Sequence, residues 1–251
     1  MRFSFFNTYL IPPECDPMGQ AIADYCNTGK AKRLVVTSTM FDDDEMPVGV
    51  LFRSYAEMPA IEQEALRLAS GKILDVGAGS GCHALALQEM DKIVCAIDIS
   101  VLSVDAMRQR GVKDARAINL FDPRLCEKYD TILLLMNGAG MMQRMENMPM
   151  FFDRMRELLA PDGKILMDSS DLIYLFQDED GGVDIDLDGD YYGQVDFAMN
   201  YGKIKGESFD WLYIDFGTLS YHAEVNGFTC RMVKEGEHYD YLAELQVASG
   251  E

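Results

Sequence analysis

Between residues 71 and 170 the chain alternates short apolar runs with amphipathic stretches, and one run has no polar face. In Thr131-Ile132-Leu133-Leu134-Leu135-Met136 both alternating faces are apolar after the first residue. Such a strand needs cover on both sides. Between helical segments this implies a mostly parallel sheet held between helical layers. Its neighbours read the same way. Strands are expected over 72–76, 92–97, 115–118 and 164–167. Helices are expected over 79–90, 100–111 and 149–159, with Ser100 as a cap and Gly111 as a stop. Pro161-Asp162-Gly163 is expected as a turn.

The flanks differ. Residues 1–70 read as an N-terminal cap segment. Asp16-Pro17 starts a helix that Gly29 stops, 32–39 is a strand, and a helix with Ile61, Ala65, Leu66 and Leu68 on one face runs from Pro59 to Gly71. The acidic run Asp42-Asp43-Asp44-Glu45 reads as a solvated loop. Residues 171–216 break the core rhythm. A Gly/Asp-rich loop over 178–190 precedes two alternating runs, Val195/Phe197/Met199/Tyr201 and Phe209/Trp211/Tyr213, which read as an inserted β-hairpin. Residues 217–251 return to the core with a helix over 218–226 and antiparallel strands over 228–233 and 239–245.

Charge narrows the partners. With 22 Lys+Arg against 42 Asp+Glu the net charge is −20, which repels phosphate backbones and anionic membranes. No apolar run reaches the roughly 20 residues that span a bilayer, and the start lacks a secretory signal pattern. Six scattered cysteines without a C-x-x-C pair read as reduced thiols in a cytoplasmic protein. Asp184-x-Asp186-x-Asp188-Gly189-Asp190 begins like a calcium loop, but its twelfth position is Val195 and not Glu. His222 and His238 have no ligand pattern, so no metal is expected.

The chemistry-bearing stretch is Leu74-Asp75-Val76-Gly77-Ala78-Gly79-Ser80-Gly81, a strand running through a glycine-rich turn into a helix. Glycines let a ligand reach backbone amides without side chains between, and the helix N-terminus adds unpaired donors. A dinucleotide fingerprint would need a third glycine where Cys82 stands, and no Gly-Lys is followed by Ser or Thr as a P-loop requires. Asp98, 17 residues after Gly81, ends the next strand, where a carboxylate can accept from both ribose hydroxyls. Asn119-Leu120 and Met136-Asn137-Gly138 end the two following strands. All four pieces fall at carboxyl ends of parallel strands, where open α/β sheets bind ligands.

With these residues in this order, the sequence resembles class I S-adenosylmethionine-dependent methyltransferases. The resemblance is specific over about 70–170 and follows element order over 217–246. It implies an α/β, Rossmann-like, mostly parallel seven-stranded sheet with an antiparallel last strand, here with an N-terminal helical cap and an inserted β-hairpin. It implies S-adenosyl-L-methionine as cofactor and S-adenosyl-L-homocysteine as product. It places Asp75, Gly77, Ala78, Gly79 and Gly81 around the cofactor's methionine part and Asp98 and Ile99 at its ribose. Asn119 falls where many members have an Asp facing the adenine amine, and Leu120, Met136 and Asn137 complete the cofactor-binding residues. Leu158 to Leu166 resembles the family's turn into its fifth strand, with Asp162 for a glycine. The stretches Leu51–Tyr55 and Glu57–Pro59 resemble the lead-in of uncharacterised bacterial members.

Methyl transfer from a sulfonium is an in-line displacement that depends on alignment, so no catalytic triad is needed. His83, Asn137 and Tyr55 are the candidate catalytic residues. His83 reads either as an acceptor-side base or as a packed helix residue. Candidates for the acceptor side are Arg53, Tyr55, Ser169, Asp171, Tyr191, Tyr192, Trp211 and Tyr213. Each also has a plainer reading as a salt bridge, a cap or aromatic packing. The exit Asn137-Gly138-Ala139-Gly140 lacks the prolines and aromatic of amide and nucleobase methylases, and its glycines leave room near the methyl group. A small-molecule acceptor is expected by default. Protein side-chain methylation, a non-catalytic cofactor-binding module and a nicotinamide oxidoreductase are the competing readings.

Overall fold

The computed structural model describes residues 3–178, 182–185 and 189–248. The chain first forms α1 (Pro17–Thr28), β1 (Leu34–Thr37), β2 (Asp44–Met46) and α2 (Ala60–Leu68). The core follows as β3 (Lys72–Val76), α3 (Cys82–Glu89), β4 (Ile93–Asp98), α4 (Val101–Arg110), β5 (Ala115–Ala117), β6 (Tyr129–Leu134), α5 (Met148–Leu158) and β7 (Leu159–Ser170). Then come β8 (Gln194–Tyr201), β9 (Ile204–Lys205), β10 (Phe209–Leu212), α6 (Phe216–Val225), β11 (Phe228–Glu235) and β12 (Asp240–Val247).

Alternate residues of a strand face opposite ways, and the core divides accordingly. Leu74 and Val76 of β3, Ile132 and Leu134 of β6, and Ile165 and Met167 of β7 pack on the side of α5 and α6. Ile73, Leu133 and Leu166 from the same strands pack on the side of α2, α3 and α4. The sheet order is β11-β12-β7-β6-β3-β4-β5. The pairs among β7, β6, β3, β4 and β5 are parallel, and β12 runs antiparallel to both neighbours. This is the seven-stranded α/β sheet that the sequence implied.

Three local readings change. The Pro161-Asp162-Gly163 turn lies inside β7, as a register shift against β6 between Tyr129 and Thr131. The acidic run is exposed as expected, yet Asp44 and Glu45 belong to β2. The expected hairpin forms, with Phe209 opposite Phe197, but it is not a two-stranded ribbon. β1 pairs with the other edge of β8, β2 pairs with β1 and β9 with β8, giving a second, antiparallel five-stranded sheet. Two strands alone are marginal in water, and an edge strand invites pairing. The N-terminal segment supplies that cover.

α1 sits between this sheet and the core. Asp16 caps it by accepting from Gly19 N at 2.8 Å. Ala21 packs with Leu34 and Tyr201, and Ile22 with Ala106 of α4. All six cysteines are free. Among the described residues no helix is long and apolar enough to cross a membrane, and no group of three or more His, Cys, Asp or Glu could hold a metal. Asp186 and Asp188 of the calcium-like run lie outside the described residues.

Candidate active site

The glycine turn after β3 opens onto a cavity of about 1280 Å³. Ligand sites commonly measure roughly 300–1,000 Å³, so there is room for two small molecules. Gly77 and Gly79 line it, with φ of 67° and 55°. A Cβ on Gly77 would meet nothing within 4 Å, and one on Gly79 only Ile22 Cδ1 at 3.9 Å. Gly81 serves packing instead. Its Cβ would stand 2.8 Å from Val112 Cγ2 and 2.9 Å from Met107 Cγ, and it does not line the cavity. Ala78, between the open glycines, lines the cavity too.

Asp98 reaches the cavity from the end of β4. Its Oδ2 accepts from Gly79 N at 2.8 Å and its Oδ1 from Ser100 N at 2.8 Å. Each oxygen retains a further lone pair. Burial pushes its carboxyl up to about 6, against the pull of the two backbone bonds. Ile99 follows on the wall, and its carbonyl accepts from Ile11 N at 3.0 Å, which ties the N-terminal segment across the opening.

β6 leaves the sheet through two non-glycine residues in the left-handed region, Met136 at φ 67° and Asn137 at φ 58°. Such residues cost on the order of 1–3 kcal/mol each and persist only where the surroundings hold them. Asp168 is that hold. Its Oδ2 accepts from Met136 N at 3.1 Å and its Oδ1 from Gly138 N at 2.9 Å. Burial raises Asp168 to about 6 as well. Ser170 Oγ donates to Asn137 Oδ1 at 2.9 Å. Met136, Asn137, Leu120, Trp211 and Tyr213 all line the cavity.

The room expected beside the exit glycines is partly taken. A Cβ on Gly140 would stand 1.9 Å from Trp211 Cε2, so the indole occupies that space. Gly140→Ala is expected to cost about 1–3 kcal/mol through overpacking. It should also shift the emission of Trp211, the single tryptophan of the chain. An unchanged spectrum with unchanged stability would contradict this packing.

Several expected site residues are committed elsewhere. Asp75 is buried behind the turn, pushed up to about 6 by desolvation, and does not line the cavity. Asn119 uses its carbonyl to accept from Phe121 N at 2.8 Å, so that oxygen is not directed at the cavity, and its Nδ2 is buried without a partner. Tyr55 donates to Gln63 O at 3.4 Å. Ser169 Oγ accepts from Ile214 N at 2.9 Å. Asp171 Oδ1 accepts from Ile173 N at 2.9 Å and from Tyr192 Oη at 2.6 Å. Tyr191 donates to Asp215 Oδ2 at 2.7 Å. The bonds of Asn119 and Tyr55 and the Ile173 bond of Asp171 are local, whereas those of Ser169, Tyr191 and Tyr192 join residues 45, 24 and 21 positions apart.

Arg53 and His83 meet on Glu62. His83 Nε2 is 2.7 Å from Glu62 Oε2, and Arg53 Nη2 bonds both Glu62 oxygens. The three side chains are 7 %, 5 % and 6 % exposed for Arg53, Glu62 and His83, so this is a buried charge cluster. Burial disfavours the His83 imidazolium, but the bond to Glu62 and the charges of Asp75 and Glu62 outweigh it and hold His83 above its ordinary value. His83 lines the cavity with its Nε2 already bound to Glu62, the packed arrangement of its two readings at that nitrogen. Sequence reasoning did not single out Glu62, which its surface-like helical setting hides. It also passed over the cavity lining from Phe5, Met18 and Val36, which long-range pairing brings in.

Residues 74–167 match the family described as methyltransferase domain. The chain is similar to the S-adenosylmethionine-dependent methyltransferase from Bacteroides fragilis, whose crystal structure is a complex with S-adenosyl-L-homocysteine. Identity is 62% over 97% of this chain and 99% of that one, with a TM-score of 0.92. The CcbJ methyltransferase from Streptomyces caelestis shares the fold at 15% identity, with 95% and 100% of the two chains covered and a TM-score of 0.60. The sugar N-methyltransferase KedS8 from Streptoalloteichus sp shares it at 12% identity, covering 85% and 97%, with a TM-score of 0.56. No curated protein matches. On its 62% identity across nearly the whole of both chains, the protein belongs to the S-adenosylmethionine-dependent methyltransferases.

Proposed function

We propose that the cavity seats S-adenosylmethionine on the Gly77–Gly79 turn and a small-molecule methyl acceptor between Asn137 and the second sheet. The supporting observation is the pair of glycines whose missing side chains leave an open cradle directly beside the Asp98 carboxylate. The cofactor supplies a methyl carbon activated on a sulfonium. The chain supplies placement. Gly77 and Gly79 allow close approach of the amino-acid part, and the free lone pairs of Asp98 accept from ribose hydroxyls. Ile99, Leu120 and Met136 give apolar cover for the base. Asp168 fixes the strained exit, so that Asn137 stands at one place on the wall. Holding two reactants in line accounts for most of the rate gain such a site needs.

Calorimetric titration with S-adenosylhomocysteine tests this reading. One equivalent should bind, and folded protein that binds none would overturn it. The affinity should fall as pH drops through about 6, because a protonated Asp98 loses acceptor capacity. The fold responds with the opposite sign. Asp75, Asp98 and Asp168 sit above their unfolded value of 3.8, so they cost stability above about 6 and that cost fades as pH falls toward 4. Weaker binding at pH 5 without a lower Tm of the free protein is the expected pattern. Asp98→Asn should flatten the pH dependence of binding. Persistence of the full dependence in that variant would exclude Asp98 as its source.

A further inference from the structure

The second-sheet wall of the cavity has one chemical character, and it names a class of acceptor. This inference rests on the methyltransferase reading above. The registers Asp44↔Val36, Val36↔Met199 and Phe197↔Phe209 put these residues on one face of the second sheet, with Trp211 two residues beyond Phe209 on the same face. All of them line the cavity. The Phe209 ring lies 6.0 Å from Trp211 and 6.3 Å from Phe197, and Phe5 closes on Trp211 edge-on at 5.9 Å. This is a ring-lined apolar chamber.

The charged groups on the lining are acidic: Asp42, Asp44, Glu45 and Glu207 at the second sheet, and Asp16 and Asp98 near the turn. Among the described residues, no Lys or Arg lines it. Glu45 is paired with Arg33 at 2.6 Å, whereas Asp42, Asp44 and Glu207 make no ion pair among the described residues. His83 on the wall has its Nε2 bound to Glu62 and its side chain 6 % exposed, and His238, also on the lining, is exposed. A carboxylate or phosphate entering here meets acids and aromatic rings with no Lys or Arg to receive it. An ammonium is favoured by both.

We propose that the methyl acceptor is an amine carried on an apolar body of aromatic size. The body packs on Phe197, Phe209 and Trp211, and the exposed carboxylates of Asp42, Asp44 and Glu207 draw in the ammonium. The ammonium gives one proton to water at the mouth. The freed nitrogen lone pair then forms the bond to the methyl carbon as the carbon–sulfur bond breaks, and that electron pair stays on sulfur as the thioether. The products are a methylated ammonium and S-adenosylhomocysteine, so charge and atoms balance.

The test uses the full-length chain saturated with S-adenosylhomocysteine, after a direct titration has shown that the product binds. Tryptamine and 2-phenylethylamine are titrated by calorimetry against their anionic counterparts indole-3-propionate and 3-phenylpropionate. The amines should bind about tenfold tighter or better, and should weaken as salt rises. Asp44→Asn with Glu207→Gln should reduce the amine affinity roughly threefold to tenfold and leave the carboxylates unharmed. With S-adenosylmethionine present, mass spectrometry should find the added methyl on nitrogen. Carboxylates binding as well as amines, or no binding by either amine to product-loaded protein, would overturn the inference and leave the cofactor reading intact. Failure of S-adenosylhomocysteine itself to bind would overturn both.

Discussion

Glu62→Ala is expected to destabilise the protein by about 3–5 kcal/mol, the cost of leaving buried charges without their partner. Arg53 and His83 both lean on this one carboxylate, and each of the three side chains is less than a tenth exposed. Burial pushes Glu62 up, but the bonds and charges of His83 and Arg53 outweigh it and hold the group below its ordinary value, so it is the anion that they require. Removal strands a guanidinium whose Nε already lacks a partner, and takes from His83 the bond that holds its pKa up. Urea unfolding would read the loss as a lower midpoint at unchanged slope. Glu62→Gln keeps the volume and removes the charge, so it should fall between the alanine variant and the native chain. A loss below about 1 kcal/mol in the alanine variant would place the cluster among ion pairs that contribute little.

Gly79→Val is expected to abolish binding of S-adenosylhomocysteine while leaving the sheet folded. The new Cβ meets only Ile22 at 3.9 Å, so the isopropyl group has space, and that space is the cradle itself. The left-handed φ of 55° adds roughly 1–2 kcal/mol of strain, which lowers Tm without unfolding a domain of this size. Affinity should drop by more than about 100-fold, the effect of occupying ligand volume with side-chain carbon. Gly81→Ala is the contrasting control. Its Cβ collides with Val112 and Met107 in the core, so stability suffers there rather than the cradle. Native-like affinity in Gly79→Val would remove the turn as the cofactor seat.

Much of the molecule was legible because its determinants are local. The apolar run ending in Met136 needed cover on both faces, and Leu133 and Leu134 do point into opposite layers. The glycines of the turn marked a left-handed backbone that other residues rarely adopt, and Asp98 stood at the end of the adjoining strand, on the cavity. Residues whose role depends on distant partners were harder. Arg53 and His83 were visible as candidates, but nothing in their spacing points to Glu62 as the group between them. Gly140 read as empty space, whereas Trp211, seventy-one positions later, fills it. Asp168 sat in a polar run with no sign that its carboxylate would clamp Met136 and Gly138.

The sequence by itself determined the layered core, the order of its strands and helices, and the glycine turn proposed as the cofactor seat, because periodicity and glycine act over a few residues. Only the tertiary structure decided that β1 and β2 join β8 and β10 in one sheet, which sets the chamber wall and its sign of charge. Strand pairing across more than 150 residues depends on complementary faces meeting in space, and neither face carries a local mark of its partner.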